Sequence, residues 1–128
     1  MTERIQEELE LIRSFFPDLE YREQEHWVRI PAYPVPEAWG VTASEVAFKM
    51  PPGLPNEPPY GFWVHPPLAL PGGGVPTNTS GPIATGFGDG WQQYSWAPEV
   101  WNPAEEVRQG TNMLDFARSI GDRLKEVN

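Results

Sequence analysis

The stretch Ser44–Pro67, SEVAFKMPPGLPNEPPYGFWVHPP, decides how this chain is built. Its opening alternates: Val46, Phe48 and Met50 fall on one side, Glu45, Ala47 and Lys49 on the other. A period of two marks a half-buried antiparallel strand over residues 44–50. A proline-rich loop follows over residues 51–60, and Gly61-Phe62-Trp63-Val64-His65 reads as a second strand, stopped by Pro66 and Pro67. Proline fixes φ and removes a backbone donor, which excludes a helix through this stretch.

Upstream, Leu19-Glu20-Tyr21 and Trp27-Val28-Arg29-Ile30 flank the polar run 22–25 and read as a hairpin. Four short strands without intervening helices make an antiparallel meander. Beyond them, residues 66–99 show no regular pattern, and a segment of that length inside a compact domain is usually functional. Trp91, Tyr94 and Trp96 within it argue for an ordered, irregular loop, because large aromatics tend to be anchored.

The two ends differ from the middle. Fifteen of the 16 prolines lie between Pro31 and Pro103, which leaves both ends free to be helical. Thr2 is placed to cap a helix over residues 3–16, with Ile5, Leu9, Ile12 and Phe16 on one face and Glu3, Glu7 and Glu8 near the positive end of its dipole. At the other end, Asn102-Pro103-Ala104-Glu105 has the order of an N-cap, a first-turn proline and an N3 glutamate, and predicts that a second helix starts there. Val107, Gly110, Leu114, Ala117, Gly121 and Leu124 form its inward stripe. Helices at both ends of a meander define an α+β fold, and 128 residues suit one domain over 1–128.

Composition excludes several functions. The chain has no cysteine, which removes disulfides, a thiolate metal site and a cysteine nucleophile together. Two histidines among scattered carboxylates are thin material for a catalytic metal, so neither metal nor cofactor is expected. A formal charge of −9 disfavours a nucleic-acid partner, which needs clustered Lys and Arg. No apolar run approaches the roughly 20 residues of a membrane span, and no signal-peptide layout opens the chain, so a cytoplasmic location and no membrane partner are expected.

The order of the parts resembles the ubiquitin-conjugating (E2) superfamily. In that family a YP…PP…F…HPN stretch precedes the active-site cysteine and W-S-P follows it. The matching residues are Pro58-Pro59, Phe62, His65-Pro66 and Trp101-Asn102-Pro103. Phe62-Trp63-Val64, His65-Pro66-Pro67, Gly72–Gly74 and Trp91-Gln92-Gln93-Tyr94-Ser95 are similar to a prokaryotic E2-like family found in bacterial conjugation operons. The resemblance implies a UBC-like fold, with an N-terminal helix, a four-stranded antiparallel meander, a long irregular loop and a C-terminal helix. It also implies an E1-like activating enzyme and a ubiquitin-like protein as partners. Two departures stand out: the nucleophilic cysteine is missing, and Pro67 occupies the place of the asparagine associated with the oxyanion.

Hydroxyls are the acyl acceptors that remain. Ser95 lies six residues before Trp101, close to the cysteine-to-tryptophan spacing that the resemblance implies, and Ser80 is the second choice. The expected function is a carrier that takes the ubiquitin-like C-terminus on Ser95 as an oxyester and passes it on. The alternative is a cysteine-less E2 variant that binds a ubiquitin-like protein or E1 without chemistry. A serine needs a base; His65 is the candidate, with Asp89 and Glu99 nearer in sequence, while Asn78 or Asn102 is the candidate oxyanion donor. Asn102 also reads simply as the helix cap. Partner contacts are expected from Glu3, Arg4, Glu7, Glu8 and Glu10 on the first helix, and from Trp91 and Trp96 in the aromatic loop.

Overall fold

The computed structural model describes residues 2–128. Helix α1, Glu3–Phe15, is capped by the Thr2 hydroxyl, which accepts the Ile5 N–H. Strands β1 (Glu20–Arg22), β2 (Trp27–Pro34), β3 (Ala43–Lys49) and β4 (Phe62–His65) are followed by β5 (Thr79–Thr85), β6 (Gly88–Tyr94) and helix α2 (Met113–Lys125). All six strands join one antiparallel sheet in the order β1-β2-β3-β4-β6-β5. Strand β2 runs past the predicted Ile30 through Pro31 and Pro34, with its pairing to β3 shifting register between Ile30 and Tyr33.

The expectation of four strands is corrected to six. The segment read as irregular contains the β5–β6 hairpin, closed at Thr85 and Gly88 around Gly86 and Phe87. Its alternation is hidden for a physical reason. Trp91 packs on one face of the sheet, while the polar Gln92 is buried on the other, where its side chain accepts the Leu68 N–H and donates to the Leu68 carbonyl. In β5, Gly81 and Pro82 interrupt the pairing.

One sheet face carries the main core. Ile5, Leu9 and Ile12 of α1 and Met113, Phe116, Ile120 and Leu124 of α2 pack there against Val28, Val46, Phe48, Phe62, Val64 and Tyr94. The Tyr33 hydroxyl donates to the Ala117 carbonyl at 2.6 Å and accepts the Gly121 N–H at 2.8 Å. A Cβ at Gly121 would stand 3.2 Å from that hydroxyl, so the missing side chain permits the close approach. The opposite face is also covered: Trp27, Ala47, Trp63 and Trp91 form a second cluster, with Phe87 packed against it. The hairpin tip reaches across to close it. A Cβ on Gly86 would overlap the Trp27 ring, and the Arg22 guanidinium lies 5.4 Å from the centre of Phe87.

The start of the second helix is also corrected. Asn102 does not cap it; Asn112 does, in a capping box with Asp115. Between them the chain doubles back, with the Thr111 N–H donating to the Asn102 carbonyl and the Asn102 N–H donating to the Thr111 hydroxyl. Gly110 presses against the backbone of residues 102–104, where a Cβ has no room. The carbonyls of Ala104 and Glu105 turn instead to the Arg4 guanidinium, at 2.7 and 3.0 Å.

That guanidinium also pairs with Glu8 at 3.0 Å, and Glu8, fully buried, accepts the Met113 N–H at 2.9 Å. Burial pushes the Glu8 carboxyl above its ordinary pKa, against the opposing pull of the Met113 N–H and Arg4. The two residues tie α1 to the start of α2. Glu8→Ala leaves Arg4 and the Met113 N–H without their acceptor in the interior and is expected to cost about 3–5 kcal/mol in urea unfolding. Glu8→Gln keeps an acceptor for Met113 and should cost clearly less.

Candidate functional site

Ser95 lies just past the end of β6, and its surroundings follow from the register. Phe62 pairs with Tyr94, so the next step sets Ser95 beside Gly61, whose N–H donates to the Trp96 carbonyl at 2.7 Å. On the other side the Ser95 N–H donates to the Asn78 carbonyl at 2.9 Å. Asn78 occupies the left-handed region with φ of 57°. The preceding Thr77 is held from below by the buried Arg123, which donates to the Thr77, Glu126 and Asn128 carbonyls. Arg123 also covers the ring of Tyr94, whose hydroxyl is pushed up to about 12 by burial.

Ser95 and Asn78 are therefore brought together through their backbones. Both are exposed, and the Ser95 hydroxyl makes no hydrogen bond among the described residues. His65 is not brought to them. It stands at the far end of β4 from Gly61, four residues along, or about 13 Å at the strand rise. Asp89 lies at the opposite end of β6. Ser95 and its expected base His65 thus fall at opposite ends of one strand pair. Two backbone donors beside it are also committed, Ser95 N–H to Asn78 and Gly61 N–H to Trp96, so neither of these is free to receive an oxyanion.

Of the expected partner contacts, Glu3 and Glu10 are exposed and Glu7 is half-buried. Arg4 and Glu8 are not docking residues on an open face; they are engaged with Ala104, Glu105 and Met113. Trp91 is 2% exposed within the second cluster. Trp96 is half-buried and donates its indole N–H to the Ser119 hydroxyl at 3.1 Å. Beside it, Glu99, Val100, Asp115 and Asp122 line a cleft of about 370 Å³. Among the described residues, no group of three or more His, Asp or Glu is arranged to hold a metal ion.

His65 has surroundings of its own. It faces Glu45 directly across β3 and β4, and its Nδ1 lies 2.6 Å from a Glu45 oxygen. Glu45 also accepts from Arg29, which pairs in turn with Glu20 directly across β1 and β2 at 2.6 Å. Alternation from Ser44 to Met50 foretold that Glu45 faces away from the core, but its cross-strand partners depend on a register that one strand cannot reveal. Burial pushes the Glu45 carboxyl up, but the hydrogen bonds from His65 and Arg29 outweigh this and hold it below its ordinary value of 4.5. A depressed carboxyl contributes stability above its unfolded pKa and loses it as pH falls through the folded value. Glu45→Gln is therefore expected to be less stable than the parent at about pH 7, with the gap closing as pH falls below the ordinary carboxyl value of 4.5, as read from urea midpoints.

No helix among the described residues is long and apolar enough to cross a membrane. Neither the curated proteins nor the solved structures hold a match to this chain. The family model described as Prokaryotic E2 family E matches residues 16–115, from the end of α1 into α2. The chain belongs to this prokaryotic E2-like family, a membership that suggests a transferase role in ubiquitin-like conjugation and implies interaction with E1 and ubiquitin-like proteins in general.

Proposed function

We propose that the protein serves ubiquitin-like conjugation as an E2-type docking module, binding a ubiquitin-like protein or its E1 without carrying an acyl group itself. The isolation of Ser95 carries this reading. A serine hydroxyl is almost wholly protonated at neutral pH, and a positioned base contributes roughly 10²–10⁴-fold to its attack. Among the described residues no side chain accepts a hydrogen bond from the Ser95 hydroxyl, and the chain has no cysteine to take its place. The acidic outer face of α1, with Glu3, Glu7 and Glu10, supports a basic partner surface, where charge tunes encounter rate more than final affinity.

A second reading keeps Ser95 as an oxyester carrier with Asn78 beside it. What favours it is the exposed, unbonded hydroxyl on a backbone pinned from both sides. In that case the serine oxygen attacks an E1-bound thioester, forming the ester as the E1 thiol leaves with the serine proton, and an acceptor amine then attacks the ester, forming an amide and restoring the serine hydroxyl. An oxyester reacts with amines more slowly than a thioester, so the charged form would persist and be easy to detect.

One mixture separates the two. The protein is incubated with an E1-like enzyme, a ubiquitin-like protein from the same organism and ATP, and is probed for both binding and covalent addition. The docking reading expects a complex without an adduct, formed severalfold more slowly when Glu3 and Glu10 are both changed to Lys. A thiol-resistant, hydroxide-sensitive adduct that disappears in Ser95→Ala overturns it in favour of the serine carrier. Neither binding nor adduct with an active E1 overturns both.

A further inference from the structure

The Glu20–Arg29–Glu45–His65 chain runs across four strands on the sheet face away from the helices and ends at an imidazole. Each link is a side chain fixed by the next. Glu20 and Glu45 hold Arg29 from two sides, Arg29 holds Glu45, and Glu45 holds His65 at Nδ1. The His65 ring also packs on Trp91, with ring centres 5.1 Å apart. Its other nitrogen, Nε2, has no partner among the described residues. Gly90, in the left-handed region with φ of 86°, lies beside that nitrogen; a Cβ there would stand 3.7 Å away, in ordinary contact. The His65 side chain is 38% exposed, whereas its carboxylate partner is more covered.

A carboxylate on Nδ1 fixes the tautomer in which Nδ1 carries the proton and Nε2 presents its lone pair. The other histidine is arranged differently: His26 has its Nδ1 against the Tyr21 hydroxyl at 2.7 Å. A merely structural cross-strand ion pair would need neither the ring packing nor the open Nε2.

We propose that His65 is a general base, with Glu45 as its positioning residue, for an amine attacking a thioester carried by a partner protein. Nε2 takes the proton of the attacking amine as the new C–N bond forms and the C–S bond breaks. The thiolate leaves and recovers that proton from the imidazolium, so thioester and amine become amide and thiol. The thioester must come from outside, since this chain has no cysteine. The proposal rests on the docking reading for its biological setting, but it can be tested without any partner.

The probe is an acetylated peptide thioester ending in Gly-Gly, with glycinamide in excess as the amine, and the rate is read with increasing protein. The expected result is a protein-dependent aminolysis that falls about tenfold in His65→Gln and in Glu45→Gln, and that persists in His26→Gln. In parallel, long-range ¹H–¹⁵N spectra should show the wild-type His65 ring protonated on Nδ1 and bare at Nε2, a preference lost in Glu45→Gln. The wild-type tautomer needs no variant, so the proposal stays exposed even if a substitution impairs folding. A ring protonated on Nε2, a protein-dependent rate unchanged by His65→Gln, or no such rate at all overturns it. Failure of partner binding would count against the docking reading alone.

Discussion

The register of β4 between β3 and β6 determines what this protein's chemistry can be. Phe62 pairs with Tyr94 and Glu45 with His65, so a four-residue strand separates the serine end from the histidine end. No side-chain motion spans that length. A slip of one residue in the pairing would turn Phe62 and Val64 out of the core and expose them, so core packing locks the separation. Ser95 and His65 are held apart by the same contacts that fold the sheet.

The middle of the sheet is packed on both faces, and this explains the aromatic richness. Six tryptophans in 128 residues are more than one small core requires. Trp27, Trp63 and Trp91 belong to the second cluster, covered by a hairpin that folds back so that Gly86 meets the Trp27 ring. Lys49 caps the same ring, its ammonium 4.7 Å from the ring centre. The aromatics therefore stabilise the face on which the charged relay sits, with His65 partly exposed and Gly90 beside it.

How much was legible in the sequence depends on where each signal is stored. Helix α1 could be read residue by residue, because its cap and its apolar stripe lie within one local period. Strands β3 and β4 could be read because one alternates and both are bounded by prolines. The β5–β6 hairpin could not: Trp91 is apolar on the outer face and Gln92 is buried on the inner one, so alternation of polarity fails where alternation of direction holds. Asn102-Pro103-Ala104-Glu105 was a sound local helix start that lost to a tertiary competitor, the Arg4 guanidinium reaching for the Ala104 and Glu105 carbonyls from a hundred residues away. At the candidate site, the backbone pairing of Ser95 with Asn78 could not be read from the sequence. Nor could His65 be matched to Glu45 without the register.

These misreadings share a cause that bears on function. A helix docked through Arg4 and Glu8 uses, as internal fasteners, charges that looked like a partner-facing surface. Removing them from the surface leaves the exposed glutamates of α1 at one edge and the His65 rim at another, with the β4 register between them. A protein that neither forms a thioester nor assembles a serine with its base still retains a rigid sheet, an acidic helix face and one imidazole held in a defined orientation. Rigid presentation is what makes a weakly basic group effective, because the cost of orienting it is met during folding and not during each encounter. In the proposed reading, an E2-like scaffold without its cysteine keeps the part of catalysis that depends on geometry, while the part that depends on a nucleophilic sulfur is supplied by the partner that docks against it.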